Sequence, residues 1–427
     1  MVTRRNLLKV ATAAAVAAPF GVTFTQRCAR AQAANDRMTL GVIGVGMQGR
    51  GHASSFAQYG DVQVVAVCDV EKTRRESARD RVESRYADRK KSGSFQGCAN
   101  YTDFRELLAR KDIDAVVIAT PDHAHAIPCL QAARAKKHIY CEKPLTHAIG
   151  EGRMIVKAVA EHGVVFQTGS QQRSEFDGRF RQAVELVRNG RIGSVKRIRI
   201  GVGGPPVACD LPAEEQPAEV DWNMWLGPAA VRAYNQILCP KGNHNHFPAW
   251  RNYREFGGGG MADMGAHHFD IAQWALAMDD SGPVTIEPPA APATSGLKFV
   301  YADGVEMLHG GPDGCTFEGT AGTIYVNRPV IKSDPADILT MPLPDGSQHV
   351  YQAVDHRRNW IECIRAGKPT ICPAEVGHRS ASVCHLGNIA YRLRRTLNWD
   401  PREEKFAGDD EANKLLLHEP RGPWSYT

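Results

Sequence analysis

Three glycines and one carboxylate form the first group of residues that could bind a ligand. Gly44, Gly46 and Gly49 stand in a G-x-G-x-x-G turn directly after the apolar run Thr39–Ile43, and Asp69 comes 20 residues after the last glycine. Such glycines let the backbone approach a pyrophosphate, and a carboxylate at the end of the next strand accepts hydrogen bonds from ribose hydroxyls. The pattern favours NAD, and basic residues soon after Asp69 keep NADP as an alternative. The expected cofactor-binding residues of this turn are Gly44, Gly46, Met47, Gln48, Gly49 and Asp69.

A second group contains side chains that can move protons. Glu142, Lys143 and Pro144 follow an apolar run, and ligands of an open α/β sheet bind outside the C-terminal ends of its strands. A lysine there transfers protons if burial or a nearby cation lowers its pKa, although Lys143 taken alone fits a surface lysine better. Asp263 and His267 are four residues apart, so on one helix they would share a face. Alcohol oxidation removes a hydride from carbon and a proton from oxygen, and these groups indicate the required acid–base chemistry.

Together these motifs resemble those of the Gfo/Idh/MocA oxidoreductase family. The resemblance extends from residue 38 to about residue 410 and includes the glycine turn, Thr120–His125, Glu142-Lys143-Pro144, Trp222–Pro228 and Asp263–Asp270. It implies that Lys143 contacts the reacting hydroxyl or carbonyl beside the nicotinamide, that His267 relays the proton, and that Asp263 is the acidic partner. The further cofactor contacts expected on this basis are Thr120, Pro121, His125, Glu142 and Lys143.

Several of these assignments have alternatives. His268 replaces His267 as the relay if the register is off by one residue, and His125 fits a structural role as well as a place near the nicotinamide. Aromatic and basic side chains of the middle region could stack on and clamp a sugar, although tryptophans are more common in cores. No Cys/His cluster has the spacing of a zinc site, so no metal is expected. The expected substrate contacts are Lys143, Trp225, Trp250, Arg251, His267 and His268.

Alternating apolar and helical patterns place these motifs in a fold. Strand-like runs separated by helical patterns predict a doubly wound parallel sheet over the first part of the chain. After residue 168, runs such as Val195–Gly201 alternate with turns, which favours a largely antiparallel sheet. We therefore expect a Rossmann domain over residues 38–168. An α+β domain over residues 169–427 would bind the substrate and pair through its open sheet, giving a homodimer or homotetramer, because an uncovered face would otherwise expose apolar area. The predicted parallel strands are Thr39–Ile43, Val62–Val67, Ala115–Ala119, His138–Cys141 and Val164–Gln167.

The first 31 residues resemble an export signal of the twin-arginine type. Arg4 and Arg5 precede a weakly apolar, Ala-rich stretch, and Ala29-Arg30-Ala31 is a small-x-small cleavage site. This segment holds five basic residues and no acidic ones, which leaves 47 of each in the remainder. The charge therefore gives no reason to expect binding to nucleic acid, or to membranes after signal cleavage. We expect a periplasmic protein that the twin-arginine machinery exports already folded.

This expected location limits the function. No free nicotinamide pool exists outside the cytoplasm, so an exported enzyme must keep its cofactor and regenerate it in place. The favoured hypothesis is an NAD(P)-dependent oxidoreductase that acts on a sugar or polyol hydroxyl. One alternative is a redox-neutral glycoside lyase, hydrolase or epimerase that acts through a transient keto-sugar. A second alternative, a non-catalytic sugar-binding protein, agrees poorly with the presence of Lys143, Asp263 and His267 in one chain.

Overall fold

Two sheets organise the chain, and each has its own hydrophobic core. The computed structural model describes residues 37–427, so the expected export signal lies outside the described residues. Within residues 37–427, no helix is both long enough and apolar enough to cross a bilayer.

The first sheet has six parallel strands in the order β3-β2-β1-β4-β5-β6. Helices cover both faces, which explains the nearly continuous Val/Ile/Ala runs of its central strands. Its strands are β1 (Met38–Ile43), β2 (Val62–Cys68), β3 (Ala99–Tyr101), β4 (Ala115–Ile118), β5 (His138–Cys141) and β6 (Phe166–Thr168). Its helices are α1 (Met47–Phe56), α2 (Lys72–Arg85), α3 (Ala87–Lys91), α4 (Phe104–Ala109), α5 (Ala126–Arg134) and α6 (Ile149–His162).

One strand of this sheet was not predicted. The edge strand β3 has three residues, none fully buried, so it lacks the apolar run that marks the other strands. The predicted fifth strand is therefore the sixth, and it begins at Phe166 rather than at Val164. The charged stretch after β2 forms α2 and α3, which are mostly solvent-facing helices.

The second sheet has eight strands, and its strand pairs are antiparallel. α10 and α12 pack against one face, and the first residues of α12 also meet the core of the first domain. Its strands are β7 (Val195–Gly201), β8 (Thr285–Glu287), β9 (Lys298–Val300), β10 (Glu306–Gly319), β11 (Thr323–Asn327), β12 (Val330–Asp334), β13 (Leu397–Asp400) and β14 (Lys405–Phe406). The helices of this part are α7 (Arg179–Arg188), α8 (Trp222–Leu226), α9 (Gly259–Asp263), α10 (Gly265–Ala275), α11 (His356–Ala366), α12 (Ala374–Leu393) and α13 (Asp410–Asn413).

The other face of the antiparallel sheet carries paired charges. Lys298 and Arg197 both contact Glu306, at 3.3 and 3.0 Å, and Arg199 contacts Glu318 at 2.6 Å. Charged pairs on neighbouring strands therefore occupy part of this face. The homodimer or homotetramer stays a prediction.

A long irregular stretch, residues 205–256, connects β7 to α9. We call it the cover segment. It contains α8 and a short 3₁₀ turn, and it holds together through its own aromatic cluster, which includes Trp222, Trp225 and Trp250. Backbone hydrogen bonds fix it to the end of β2: the Asp221 N–H donates to the Val70 carbonyl at 3.0 Å, and the Lys72 N–H donates to the Glu219 carbonyl at 2.9 Å. The segment therefore lies over the C-terminal edge of the parallel sheet.

Candidate functional site

The three glycines of the turn after β1 have different structural roles. Gly44 has a φ of +80°, and a Cβ there would lie 2.7 Å from the Ala119 backbone. A Cβ on Gly49 would lie 1.8 Å from the Gly44 carbonyl oxygen, so the close packing of α1 on the turn requires glycine. Gly46 lines the neighbouring cleft, and no protein atom lies within 4 Å of a Cβ built on it. The first and third glycines therefore serve the fold, and the second leaves room for a ligand.

Asp69 joins the glycine turn to the second strand. Its carboxylate accepts the Val45 N–H at 2.8 Å and the Glu71 N–H at 2.9 Å, and burial raises its pKa despite the nearby Arg74 guanidinium. Among the described residues, no side chain caps the N-terminus of α1, which begins at Met47 and continues through Gln48. The free N–H groups, the open space at Gly46 and the carboxylate fit a dinucleotide, whose pyrophosphate and ribose they would hold.

The cleft beside the turn has an empty volume of about 1010 Å³. Thr120 and Pro121 line it from the parallel sheet, and Trp225, Trp250 and Arg251 line it from the cover segment. Both tryptophans are buried, and Trp225 stacks on Trp222 with ring centroids 4.6 Å apart. The structure therefore places the two expected sugar-stacking residues along the dinucleotide cleft.

His125 connects two loops at the edge of this cleft. Its Nε2 lies 2.9 Å from the Thr120 carbonyl oxygen, and its Nδ1 lies 2.9 Å from the Pro144 carbonyl oxygen. Burial lowers its pKa. Both ring nitrogens are thus engaged by backbone, and the structural role is the one that the geometry supports.

Lys143 and Asp263 form the central ion pair of the site. The Lys143 ammonium donates to Asp263 Oδ1 at 2.6 Å and to the Asp263 carbonyl oxygen at 2.8 Å. That carbonyl is available because α9 ends at Asp263 and α10 begins at Gly265, and the His267 N–H donates to Met264 instead. The Asp263 carboxylate therefore pairs with Lys143, and no hydrogen bond joins it to the His267 imidazole within residues 37–427. The interruption at Met264 directs two oxygens of Asp263 toward Lys143.

A second cation stabilises the Asp263 carboxylate. Arg251 Nε lies 3.6 Å from Asp263 Oδ1, and the Arg251 guanidinium stacks 4.2 Å from the centre of the Trp250 ring. Burial alone would raise the pKa of Asp263, but the Lys143 and Arg251 charges outweigh it and hold that pKa below its ordinary value. Because Arg251 also lines the cleft, this ion pair connects the Lys143 site to the dinucleotide cleft.

The two neighbouring histidines face different surroundings. His267 is buried, and its Nδ1 has no hydrogen-bond partner within residues 37–427. Burial and the Lys143 charge hold its pKa well below the ordinary value, so its imidazole is neutral. His268 instead faces β10, where its Nε2 lies 3.6 Å from Asp313. Burial lowers the pKa of His268 to about 4.

Glu142 lies behind the site rather than in it. Its Oε1 lies 2.6 Å from His52 Nε2 and accepts hydrogen bonds from Gln171 at 2.8 Å and Gln48 at 3.1 Å. Arg357 donates to His52 Nδ1 at 3.0 Å, which leaves Nε2 as the protonated nitrogen of that imidazole. Burial would raise the pKa of Glu142, but the His52 hydrogen bond holds it well below the ordinary value. The carboxylate therefore anchors the turn that presents Lys143.

Three residues near the site were not predicted from the sequence. Asp122 is buried in the Thr120–His125 motif, and burial raises its pKa to about 7 against the effect of Arg251. The motif pointed to this position, although no role was assigned to it. Gln172 and Arg328 come from a 3₁₀ turn and from the β11–β12 turn, and no local pattern marks either of them.

Comparison with known proteins agrees with this architecture. A Gfo/Idh/MocA model described as an oxidoreductase family, NAD-binding Rossmann fold, matches residues 38–170. A second, described as an oxidoreductase family, C-terminal alpha/beta domain, matches residues 207–426. Myo-inositol 2-dehydrogenase of Thermotoga maritima is 29% identical over 38% of this chain and 44% of its own length. The match thus spans less than half of that relative.

Two further comparisons extend over more of the chain. 1,5-Anhydro-D-fructose reductase of Ensifer adhaerens is 26% identical over 58% of this chain and 67% of its own length. The solved structure of aldose-aldose oxidoreductase from Caulobacter crescentus, complexed with glycerol, superposes with a TM-score of 0.56 at 17% identity. That superposition covers 85% of this chain and 99% of the other, and it shows that the fold is shared.

Proposed function

The chain belongs to the Gfo/Idh/MocA oxidoreductase family, and from this premise we propose that it transfers a hydride between a sugar or polyol carbon and NAD. The observation that carries the proposal is the Lys143–Asp263 ion pair beside the buried, neutral His267, next to the dinucleotide cleft. The names of the relatives support the substrate class, since one is an inositol dehydrogenase and another reduces an anhydro-sugar.

Three side chains of the protein would have separate roles in this reaction. NAD supplies the hydride acceptor when it is bound. Lys143, held by two oxygens of Asp263, donates a hydrogen bond to the reacting hydroxyl and stabilises negative charge that develops on its oxygen. We assign the relay of the hydroxyl proton to His267, because its neutral imidazole lies within the electrostatic influence of the Lys143 ammonium. Asp263 thus orients Lys143 rather than His267.

We further propose that the cofactor is retained between turnovers. Leu238, Pro240 and Phe247 of the cover segment form one wall of the cleft. Arg74 on α2 donates to the carbonyl oxygens of Pro240 and Gly242, the latter at 2.9 Å, and Arg50 on α1 donates to the His244 carbonyl oxygen at 3.0 Å. The segment is therefore tied to α1 and α2, and these contacts would hinder the opening of the cleft wall that a dinucleotide needs in order to leave.

Cofactor retention also favours a second candidate, the redox-neutral lyase, hydrolase or epimerase. In that reaction the hydride leaves the sugar, a group is eliminated or inverted beside the transient ketone, and the hydride returns. An enclosed cofactor that never exchanges suits this cycle as well as a cycle with two substrates. A non-catalytic sugar-binding role would leave the Lys143–Asp263 pair without a purpose.

The test uses the purified protein without added cofactor. The nucleotide released on denaturation is identified, and the native protein is incubated with sugars, polyols and glycosides while NADH absorbance at 340 nm is followed. Reduction of at most one equivalent, reversed by a keto-sugar, supports the oxidoreductase. Glycoside cleavage or epimerisation without net reduction supports the second candidate. No bound nucleotide would contradict cofactor retention, and no turnover of any kind would contradict both enzymes.

Export through the twin-arginine pathway into the periplasm remains a proposal that rests on residues 1–31 alone. Replacing Arg4 and Arg5 together with lysine should keep the protein in the cytoplasm, as measured by cell fractionation. Unchanged export would contradict the proposal.

A further inference from the structure

One arginine beside the site makes no ion pair with any residue of the described chain. Arg328 lies between β11 and β12, and its backbone is fixed because its N–H donates to the Asn327 side chain at 2.7 Å and its carbonyl accepts from Arg179 at 3.2 Å. In the part of the chain that the structure describes, no carboxylate oxygen lies within 4 Å of its guanidinium. Arg173, a buried neighbour of Gln172, shows the usual arrangement, since Asp270 and Asp279 hold its guanidinium at 2.7 Å.

The Arg328 side chain is nevertheless held in one direction. Its Nε donates to Gln172 Oε1 at 3.3 Å, and its guanidinium lies 5.0 Å from the centre of the Phe176 ring. Gln172 is buried, and its amide nitrogen lies 3.3 Å from His268 Nδ1 and 3.5 Å from the His267 carbonyl oxygen. Arg328 is thus connected through one side chain to the two neighbouring histidines of the site.

This connection places Arg328 in the electrostatic environment of the reaction. The Arg328 charge, like that of Lys143, lowers the pKa of His267. Conversely, burial lowers the pKa of Arg328, and the charges of Asp313, Glu175 and Asp263 oppose that effect. The Asp313 carboxylate is exposed and accepts a hydrogen bond from Asn327 at 2.9 Å, so it is already engaged elsewhere.

The cations near the reacting position differ in their contacts. Lys143 and Arg251 both contact the Asp263 carboxylate, whereas no carboxylate oxygen of the described chain lies within 4 Å of the Arg328 guanidinium. A half-buried guanidinium without a carboxylate partner leaves its two terminal nitrogens available, and the planar fork matches a carboxylate or phosphate.

We propose that Arg328 binds an anionic group of the substrate, and that the enzyme therefore prefers acidic sugars, such as uronates or sugar phosphates, over neutral ones. The proposal rests on the proposed function at Lys143 and His267 and specifies its substrate class. Gln172 is a positioning residue in this account, since it fixes the Nε edge of the guanidinium and leaves the other edge to the ligand.

The test compares matched sugars on the holoenzyme. Aldohexoses of the gluco, galacto and manno series, the corresponding hexuronates and the corresponding 6-phosphates are each mixed with wild-type protein, and reduction of bound NAD is followed. We expect kcat/KM to favour at least one acidic series by about 10- to 100-fold, the size of a charge-assisted hydrogen bond. Comparison of uronates with phosphates identifies which anion binds.

Variants connect that preference to Arg328. Arg328→Gln should bring the ratio of acidic to neutral kcat/KM close to one, mainly through KM for the acid, and Arg328→Lys should give an intermediate ratio in a protein with the charge retained. Lys332→Gln is the matched control, because Lys332 is an exposed cation on the adjoining strand β12. A wild-type preference for neutral sugars, or an unchanged ratio in a folded Arg328→Gln protein, would overturn the inference.

A binding readout separates this inference from the proposed function. If no sugar reduces the bound cofactor, the proposed oxidation fails, and thermal stabilisation by the same acids is measured instead. Stabilisation of the wild type and Lys332→Gln, but not of Arg328→Gln, would still support the anion site. Equal stabilisation of all three proteins, or of none, would overturn it.

Discussion

The cofactor side and the substrate side of this site are built in opposite ways. On the cofactor side, the glycine turn, the start of α1 and Asp69 come from one β-α-β unit, and the neighbouring backbone enforces Gly44 and Gly49. On the substrate side, the residues come from separate elements: the turn after β5, both sides of the α9–α10 interruption and a β-hairpin contribute Lys143, Asp263, His267 and Arg328. Binding therefore depends on local geometry, whereas the chemistry depends on long-range packing. Changes on the two sides should separate affinity from turnover.

The largest separation of turnover from NAD affinity is expected for a substitution of Lys143. Lys143→Ala removes the ammonium that would stabilise the reacting oxygen, so turnover should fall by about 10²–10⁴-fold, while NAD stays bound because the cleft residues are unchanged. Single-turnover NADH absorbance measures the first effect, and nucleotide content after denaturation measures the second. Lys157→Ala, which removes an exposed lysine on α6, is the control and should behave like wild type. Near-normal turnover in Lys143→Ala would show that a residue other than Lys143 carries out this chemistry.

A slightly smaller effect is expected at His267. His267→Asn should reduce oxidation by about 10²-fold, because the proton acceptor is lost. Since burial holds the pKa of His267 well below its ordinary value, wild-type kcat/KM should stay constant through pH 6.5 and fall only at lower pH, where the imidazole becomes protonated. The variant should lack this acidic limb. If His268→Asn abolishes the limb and His267→Asn retains it, the relay is His268.

Two glycines sharpen the comparison on the cofactor side. Gly46→Ala should weaken NAD binding by at least about tenfold, or ~1.4 kcal/mol, with unchanged thermal stability, because its φ of −61° suits any residue and the added methyl group enters only the ligand space.

Gly49→Ala is the matched contrast. Its Cβ would meet the Gly44 carbonyl oxygen, so stability should fall by about 1–3 kcal/mol along with NAD affinity. NAD titration of apoprotein and thermal melts measure both quantities. Equal stability loss in the two variants would show that Gly46 also serves the fold.

The smallest effect is expected at the cover segment. Arg74→Gln removes the donor to the Pro240 and Gly242 carbonyl oxygens, and NAD should dissociate several-fold faster because the segment opens more often. Trapping released NAD with a coupled enzyme measures the rate, and Arg81→Gln, an exposed arginine on the same helix, is the control. A dissociation rate unaffected by Arg74→Gln would show that the Arg74 hydrogen bonds do not contribute to cofactor retention.

The same contrast explains what the sequence could predict. The glycine turn and Asp69 are recognisable because they stand at a fixed spacing within one β-α-β unit. Lys143 is recognisable because it follows a buried strand. The interruption at Met264 has no recognisable sequence signal, because the residues on both sides of it adopt helical angles. The sequence therefore predicts His267 instead of Lys143 as the partner of Asp263.

Residues contributed by distant elements were harder still to predict. Arg328 lies in a hairpin turn without a motif, and only the folded chain shows that no carboxylate of residues 37–427 contacts it. The cover segment has almost no regular secondary structure, so its position over the cleft follows from its aromatic cluster and its contacts with α1 and α2. The charged face of the antiparallel sheet likewise depends on cross-strand pairs, which single strands do not reveal.

The most direct test of the central claim follows the hydride itself. A polyol or sugar that turns over is labelled with deuterium at the reacting carbon and mixed with the protein carrying its own NAD. After one turnover, mass spectrometry of the released nucleotide should show NADH heavier by one deuterium in the wild type and unlabelled NAD in Lys143→Ala. Product formation in the wild type without deuterium in the nucleotide would contradict hydride transfer at this site.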